Sequence, residues 1–138
     1  MIGRIKGWWA SRGGLPDDLR AELEAEGLEL LEERMEGRVT YRGYVIVGQR
    51  PTTGDQPTRA SLALTPRRLV VRGTQGVALD APPGPVTFEV PEPGVLVLKY
   101  DAQDVYPNRS GSVEVLLHTP RAADIHARLQ AWTQTSAS

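Results

Sequence analysis

The side chains that could perform acid–base or nucleophilic chemistry are few in this sequence. It has no cysteine and only two histidines, His118 and His126, and it lacks the Gly-x-Ser-x-Gly motif that presents a nucleophilic serine. His126 lies beside Ile125 and Leu129 in a segment with helical periodicity, which favours a half-buried structural histidine over a general base. We therefore expect no catalytic residues and a protein that is not an enzyme.

Metal and cofactor ligands are equally sparse. His118, Asp124 and His126 match no spacing typical of a metal site. The polar segment 101–111 offers oxygen ligands, but it lacks the central glycine and the ligand pattern of a calcium-binding loop. The glycine pair in 73–76 has neither the lysine nor the following helix that a phosphate-binding loop needs. The sequence predicts no metal and no cofactor.

Five arginines in or beside the predicted strands form the first candidate site. On neighbouring strands they could make a patch that binds an anion, including an anionic lipid headgroup. Charged side chains also protect the edges of sheets from aggregation, which is the alternative interpretation. These residues are Arg38, Arg42, Arg67, Arg68 and Arg72.

An aromatic and basic N-terminal arm forms the second candidate site. Tryptophans beside cations suit the headgroup region of a membrane. Two glycines weaken a helix here, which favours packing of the arm on its own barrel or on another subunit. The apolar residues of the arm are Ile2, Ile5, Trp8 and Trp9, and its cations are Arg4, Lys6 and Arg12.

The overall composition limits the classes of protein that fit. A chain of 138 residues suits one domain, and a net charge of −1 gives no reason to expect nucleic acid as a partner. No apolar run resembles a signal peptide or a membrane span. We expect a cytoplasmic protein, with peripheral membrane attachment as the alternative. The expected division is an arm at 1–14, one domain at 15–133 and a frayed tail at 134–138.

Local patterns predict a mainly β chain with a helix near each end. Proline and acidic residues followed by Gly27 predict a helix over 16–26, whereas 28–35 fits either a helix or a strand. Alternation from Arg38 onward predicts a half-buried strand, and composition predicts a loop over 50–57. One predicted face of this strand holds Val39, Tyr41, Val45 and Val47, and the other holds Arg38, Thr40, Arg42 and Tyr44.

The remaining chain predicts further short strands and a closing helix. Proline at the second position of 65–68 suits a turn between two strands, and 101–111 reads as a long polar loop. Thr119 and Pro120 predict the start of the last helix. Its apolar stripe is Ala122, Ile125, Leu129 and Trp132. The predicted strands are 60–64, 69–72, 76–79, 86–90, 95–100 and 112–118.

Two segments resemble the pleckstrin-homology-like superfold, and within it the bacterial and GRAM-type domains. Residues 62–71 look like the hairpin of that superfold, in which a strand ends in Leu-Thr, turns and resumes after an arginine. Residues 112–132 look like its final strand and closing helix, which carries a tryptophan. The resemblance implies a partly open β-barrel of two near-orthogonal antiparallel sheets, capped by a C-terminal helix. The helix at 16–26 is an addition to that minimal pattern.

The resemblance implies binding without naming a ligand, because one superfold hosts many functions. Relatives bind phosphoinositides, peptides or partner proteins, and some bacterial ones form oligomers. Arg34, Arg38 and Arg42 are the nearest match to the phosphoinositide-binding residues, but no lysine accompanies them. We expect a non-enzymatic binding or assembly module that contacts a protein partner or another copy of itself. The alternatives are peripheral binding of anionic lipid through the arm and the arginine patch, and a barrel that binds a small ligand.

Overall fold

The computed structural model describes residues 15–74 and 76–137. The N-terminal arm with Ile2, Ile5, Trp8 and Trp9 therefore lies outside the described residues. The elements are α1 (Asp17–Ala25), β1 (Leu30–Ile46), β2 (Thr52–Leu64), β3 (Leu69–Gly73), β4 (Gly76–Ala81), β5 (Thr87–Glu92), β6 (Val95–Asp101), α2 (Ala102–Val105), β7 (Arg109–His118) and α3 (Ala122–Ala137). No described helix is long and apolar enough to cross a membrane.

The seven strands form one antiparallel sheet in the order β4-β3-β2-β1-β7-β6-β5. The sheet is strongly curled into a half-barrel, and α3 packs on it against β5 and β6. Hydrogen bonding is continuous because β1 pairs with β2 along one edge and with β7 along the other. The predicted mainly β fold with a C-terminal helix and a short N-terminal helix is confirmed.

The inner face of the half-barrel holds the main core. Alternate residues of the strands point inward, as the two-residue period of a strand requires. Helix α3 adds Ala122, Ile125, Leu129 and Trp132 to this core, all four of them buried. The predicted stripe is therefore confirmed. The helix also continues through 134–137, which the sequence assigned to the tail.

Helix α1 packs on the opposite, outer face of the sheet. Leu15 and Leu23 make a second apolar cluster with Ala63 of β2 and Val70 of β3. The helix ends at Gly27, which adopts a positive φ of 95° that glycine accepts without steric cost. Helices thus pack on both faces of the sheet, α1 on the outer face at β2 and β3 and α3 on the inner face against β5 and β6.

Several predicted loops and faces were wrong. Residues 52–57 belong to β2, because β1 extends far enough to pair with them despite their loop-like composition. Within 101–111, α2 and the start of β7 replace most of the expected loop. Of the ambiguous segment 28–35, residues 30–35 form the start of β1. Val47 lies beyond the end of β1 and is 75% exposed, so it does not face inward.

A bulge in β1 explains why Tyr44 was assigned to the wrong face. The register with β2 shifts between Tyr41 and Tyr44, so both tyrosines pack against the inner core. Gly43, at φ 60°, sits within the bulge. A Cβ added to Gly111 of β7 would lie 2.3 Å from the Gly43 carbonyl oxygen, so the two backbones approach too closely for a side chain there.

Trp132 gives a test of how α3 is held. The indole is buried, and its Nε1 has no hydrogen-bond partner among the described residues. We expect Trp132→Ala to lower the free energy of unfolding by about 3–5 kcal/mol because it leaves a cavity. Trp132→Phe should cost distinctly less, because it fills most of the site and removes an unsatisfied donor.

The free energies would be measured by urea unfolding followed by circular dichroism. His126→Ala on the same helix provides a control for helix propensity, since that ring is only half-buried. Equal stability of the wild-type and Trp132→Ala proteins would show that the stripe does not anchor α3.

Candidate binding site

The structure does not gather the five predicted arginines at one place. Arg67 and Arg68 lie in the turn between β2 and β3, which is next to the start of β1 because Leu30 pairs with Leu64. Arg42 is twelve residues further along β1, roughly 40 Å along an extended strand. Arg72 lies on β3, opposite Ser61. The patch is therefore spread along the sheet rather than focused on one ligand.

Arg68 is half-buried, and it holds α1 to the sheet. Its guanidinium donates to Glu26 through Nε at 3.1 Å and Nη2 at 2.7 Å, and to Asp80 of β4 through Nη1 at 2.7 Å. Glu22 lies 3.3 Å from Nη2. Arg20 and Glu33 add a second ion pair between α1 and β1. Arg68 thus joins the helix, a turn and an edge strand, and acids already occupy its donors.

Three of the other predicted arginines, Arg38, Arg42 and Arg67, are exposed. Arg38 faces Asp55 across the β1–β2 pair, with 3.6 Å between the charged groups. Arg67 is exposed in its turn, where its backbone N–H donates to the Thr65 hydroxyl at 3.2 Å. Arg42 is exposed and has no salt bridge to an acid in 15–74 or 76–137. Arg42 lines a defined depression.

That depression is a polar groove of about 330 Å³ on the outer face of β5, β6, β7 and β1. Strand register builds it, because residues paired across neighbouring strands point to the same face. One row across the sheet is Thr87, Lys99, Glu114 and Thr40, and the next is Asp101, Ser112 and Arg42. Pro85 and Asp104 complete the rim.

The groove carries charges of both signs. Lys99 pairs with Glu89 at 2.8 Å, and the Ser112 hydroxyl donates to Asp101 at 3.2 Å. The hydrogen bond that Lys99 donates to Glu89 is the main cause that raises the pKa of Lys99, so this ammonium stays charged. The lining holds two cations, Arg42 and Lys99, against three carboxylates on Asp101, Asp104 and Glu114. The surface therefore favours a ligand that itself carries both charges.

A second polar site lies on the inner face, at the end of the half-barrel from which β7 starts. It contains Arg109 and all four tyrosines of the chain, and we call it the tyrosine cluster. Its residues are Tyr41, Tyr44, Tyr100, Tyr106 and Arg109. The rings of Tyr41 and Tyr44 are 5.2 Å apart. Arg109 donates from Nη1 to the Tyr44 hydroxyl at 2.9 Å and lies 4.3 Å above the Tyr106 ring.

Burial controls the protonation of these phenols. It raises the pKa of Tyr41, Tyr100 and Tyr106, and for Tyr106 this outweighs the opposing effects of the Asp80 backbone amide and of Arg109. The phenols therefore remain protonated hydrogen-bond donors at neutral pH. Sequence reasoning missed this cluster, and the bulge that turns Tyr44 inward left no periodic signal.

Metal ligation has no cluster to support it in the described ranges. No group of three His, Asp or Glu side chains comes close enough there to hold an ion. The segment 101–111, which was considered for calcium, is largely taken up by α2 and β7.

The link between Arg68 and Glu26 predicts a dependence of stability on acid. The Arg68 side chain, mainly by hydrogen bonding, holds the pKa of Glu26 below its ordinary value of 4.5. The folded protein therefore binds fewer protons than the unfolded chain, and this contribution to stability is present above pH 4.5. It is lost as the pH falls through the lower pKa of the folded state.

We expect Glu26→Gln to flatten the fall in melting temperature between pH 5 and pH 3, and also to lower the melting temperature at pH 7. Calorimetry at a series of pH values would measure both effects. Glu24→Gln, an exposed position on the same helix, is the matched control. Parallel curves for wild type and Glu26→Gln would contradict the assigned role of this carboxylate.

The described residues thus offer two surfaces of different chemistry. The outer groove combines Arg42 and Lys99 with carboxylates, whereas the inner tyrosine cluster combines phenols with one guanidinium. The arm residues predicted to contact a partner or a membrane are outside the described chain. In comparisons with known proteins, no family model and no curated protein matches this chain.

Proposed function

We propose that this chain is a non-enzymatic binding module with a pleckstrin-homology-like fold, and that it recognises a protein partner through the polar groove. The groove is the observation that carries the proposal. It is the defined depression that contains Arg42, one of the residues expected to contact a ligand. Its volume of about 330 Å³ is at the lower end of the range for ligand sites, which suits a few side chains of a partner.

The architecture supports the assignment of the fold. A curled antiparallel half-barrel with a packed C-terminal helix is consistent with the fold implied by the resemblance of 62–71 and 112–132, although its seven strands form one sheet and not two near-orthogonal sheets. The hairpin that carries the first resemblance is β2–β3, and its turn is fixed by the Thr65 hydroxyl, which accepts from the Arg68 backbone N–H at 3.2 Å. This fold class hosts many ligands, so the partner must be argued from the groove itself.

Each pKa shift resolved among the described residues moves its group away from neutral pH. A general acid or base works best with a pKa near the operating pH. The resolved shifts go the other way: the pKa of Glu26 is lowered, and the pKa values of Arg68, Lys99 and three tyrosines are raised. Each shift holds its group in the protonation state it already has at neutral pH.

The charge balance of the groove favours a protein over an anionic membrane. Three carboxylates against two cations would repel a surface of anionic headgroups. A peptide surface can instead place an acid against Arg42 and a base against Asp101 or Asp104, and such complementarity sets specificity and orientation. The hydroxyls of Thr40, Thr87 and Ser112 add groups that can both donate and accept hydrogen bonds.

Charge reversal at Arg42 tests the proposal. Proteins captured from the source cell by the full-length chain would be purified and their affinity measured directly by calorimetry. We expect Arg42→Glu to weaken the interaction at least tenfold, because it replaces an attractive contact with a repulsive one. Arg38→Glu is the matched control, since it makes the same change on the same strand outside the groove.

The remaining outcomes also decide between the alternatives. A dimer in analytical ultracentrifugation that Arg42→Glu disrupts, and Arg38→Glu does not, would identify self-association as the form of binding. Equal affinity of wild type and Arg42→Glu for every purified partner would reject the groove. Sedimentation with phosphatidylserine vesicles that depends on Arg42 would reject a protein partner in favour of lipid.

A further inference from the structure

Arg109 is unusual in how its charge is accommodated. Its side chain is half-buried, yet no salt bridge joins it to an acid in the part of the chain that the structure describes. Arg68, which is comparably enclosed, contacts Glu22, Glu26 and Asp80. Buried cations are normally paired because removing a charge from water is costly.

The hydrogen bonding of Arg109 is also incomplete. A guanidinium carries five N–H donors. One nitrogen donates to the Tyr44 hydroxyl, and the ring of Tyr106 lies against the guanidinium carbon. The Nε of Arg109 is buried and has no hydrogen-bond partner among the described residues. A buried donor in this condition calls for a physical explanation, and a bound anion would supply one.

The surroundings of Arg109 are suited to an anion. Tyr41, Tyr44 and Tyr106 are each partly exposed, and all pack against the inner core. Burial keeps the phenols of Tyr41 and Tyr106 protonated, so they can donate hydrogen bonds at neutral pH. Asp80 lies nearby: its backbone amide hydrogen-bonds Tyr106 and its negative charge adds to the rise in the pKa of that phenol, while its carboxylate is paired with Arg68 at 2.7 Å.

We propose that the tyrosine cluster binds a single carboxylate group, held by the guanidinium of Arg109 and flanked by the hydroxyls of Tyr41 and Tyr44. The cluster contains one cation, which balances one negative charge. A phosphate monoester carries close to two charges at neutral pH and would call for a second cation. The planar guanidinium also matches the geometry of a carboxylate. This site is on the inner face, so the inference does not depend on the outer groove.

Titration of the full-length protein by NMR tests the site directly. The probes are sodium acetate, N-acetylglycine and inorganic phosphate, each compared with sodium chloride at constant ionic strength and pH 7. We expect saturable shifts of the Arg109 Nε–Hε signal with both carboxylates and tighter binding of carboxylate than of phosphate. Acetate mimics an acidic side chain and N-acetylglycine mimics a peptide C-terminus. The probe that binds more tightly therefore identifies which of these two groups supplies the carboxylate.

Variants separate a binding site from general salt effects. Arg109→Gln should abolish the saturable shifts of neighbouring backbone signals. Arg109→Lys should weaken carboxylate binding at least fivefold, because lysine keeps the positive charge but cannot form two parallel hydrogen bonds to a carboxylate. Arg38→Gln is the control and should bind as wild type does. If circular dichroism shows that the Arg109→Gln protein is unfolded, the titrations of the wild-type and Arg109→Lys proteins test the site instead. A wild-type response that is not saturable, or tighter binding of phosphate than of acetate, would overturn the proposal.

Discussion

The pairing of β1 along both of its edges is the constraint on which the rest of the structure depends. β1 runs from Leu30 to Ile46 and bonds β2 on one side and β7 on the other, so it joins the two halves of the half-barrel. A strand this long could not follow the curvature if it were regular. Register shifts occur on both of its edges near Gly43, and bulges of this kind bend a strand and increase its twist. The inner core and the outer groove therefore both take their shape from one strand.

The sequence predicts the strands well where one face is buried and the period is unbroken. The strand of 112–118 and the helix stripe from Ala122 to Trp132 were predicted because burial imposes a regular spacing on the apolar residues. Prediction failed where that periodicity breaks. The start of β2 is largely exposed, so residues 52–57 show loop-like composition even though they pair with β1. Backbone pairing holds them in place, and it leaves no mark on composition.

The candidate sites were less predictable because their residues meet only in the folded chain. Tyr41 and Tyr106 are far apart in sequence, and Tyr44 joins them only because a bulge changes the face to which it points. The sequence pointed to five arginines, and one of them, Arg42, lines the groove. It could not show that Arg68 is engaged by acids from α1 and β4, because those contacts depend on how the helix docks. Arg109 was not selected, since nothing in its neighbours along the chain distinguishes it.

The close approach of Gly43 and Gly111 links the two faces of the sheet. Arg42 points into the outer groove and Tyr41 points into the inner cluster, as neighbours on a strand must. Gly43 follows them directly, and Gly111 lies between Arg109 and Ser112 on the adjacent strand. A side chain at Gly111 would separate β1 from β7 at this point, because its Cβ would meet backbone atoms of Gly43 and Tyr44 within 3 Å. Such a separation would shift Arg42 relative to Ser112 on one face and Tyr44 relative to Arg109 on the other. Two chemically distinct surfaces thus depend on one glycine contact, and the geometry of neither can change there without affecting the other.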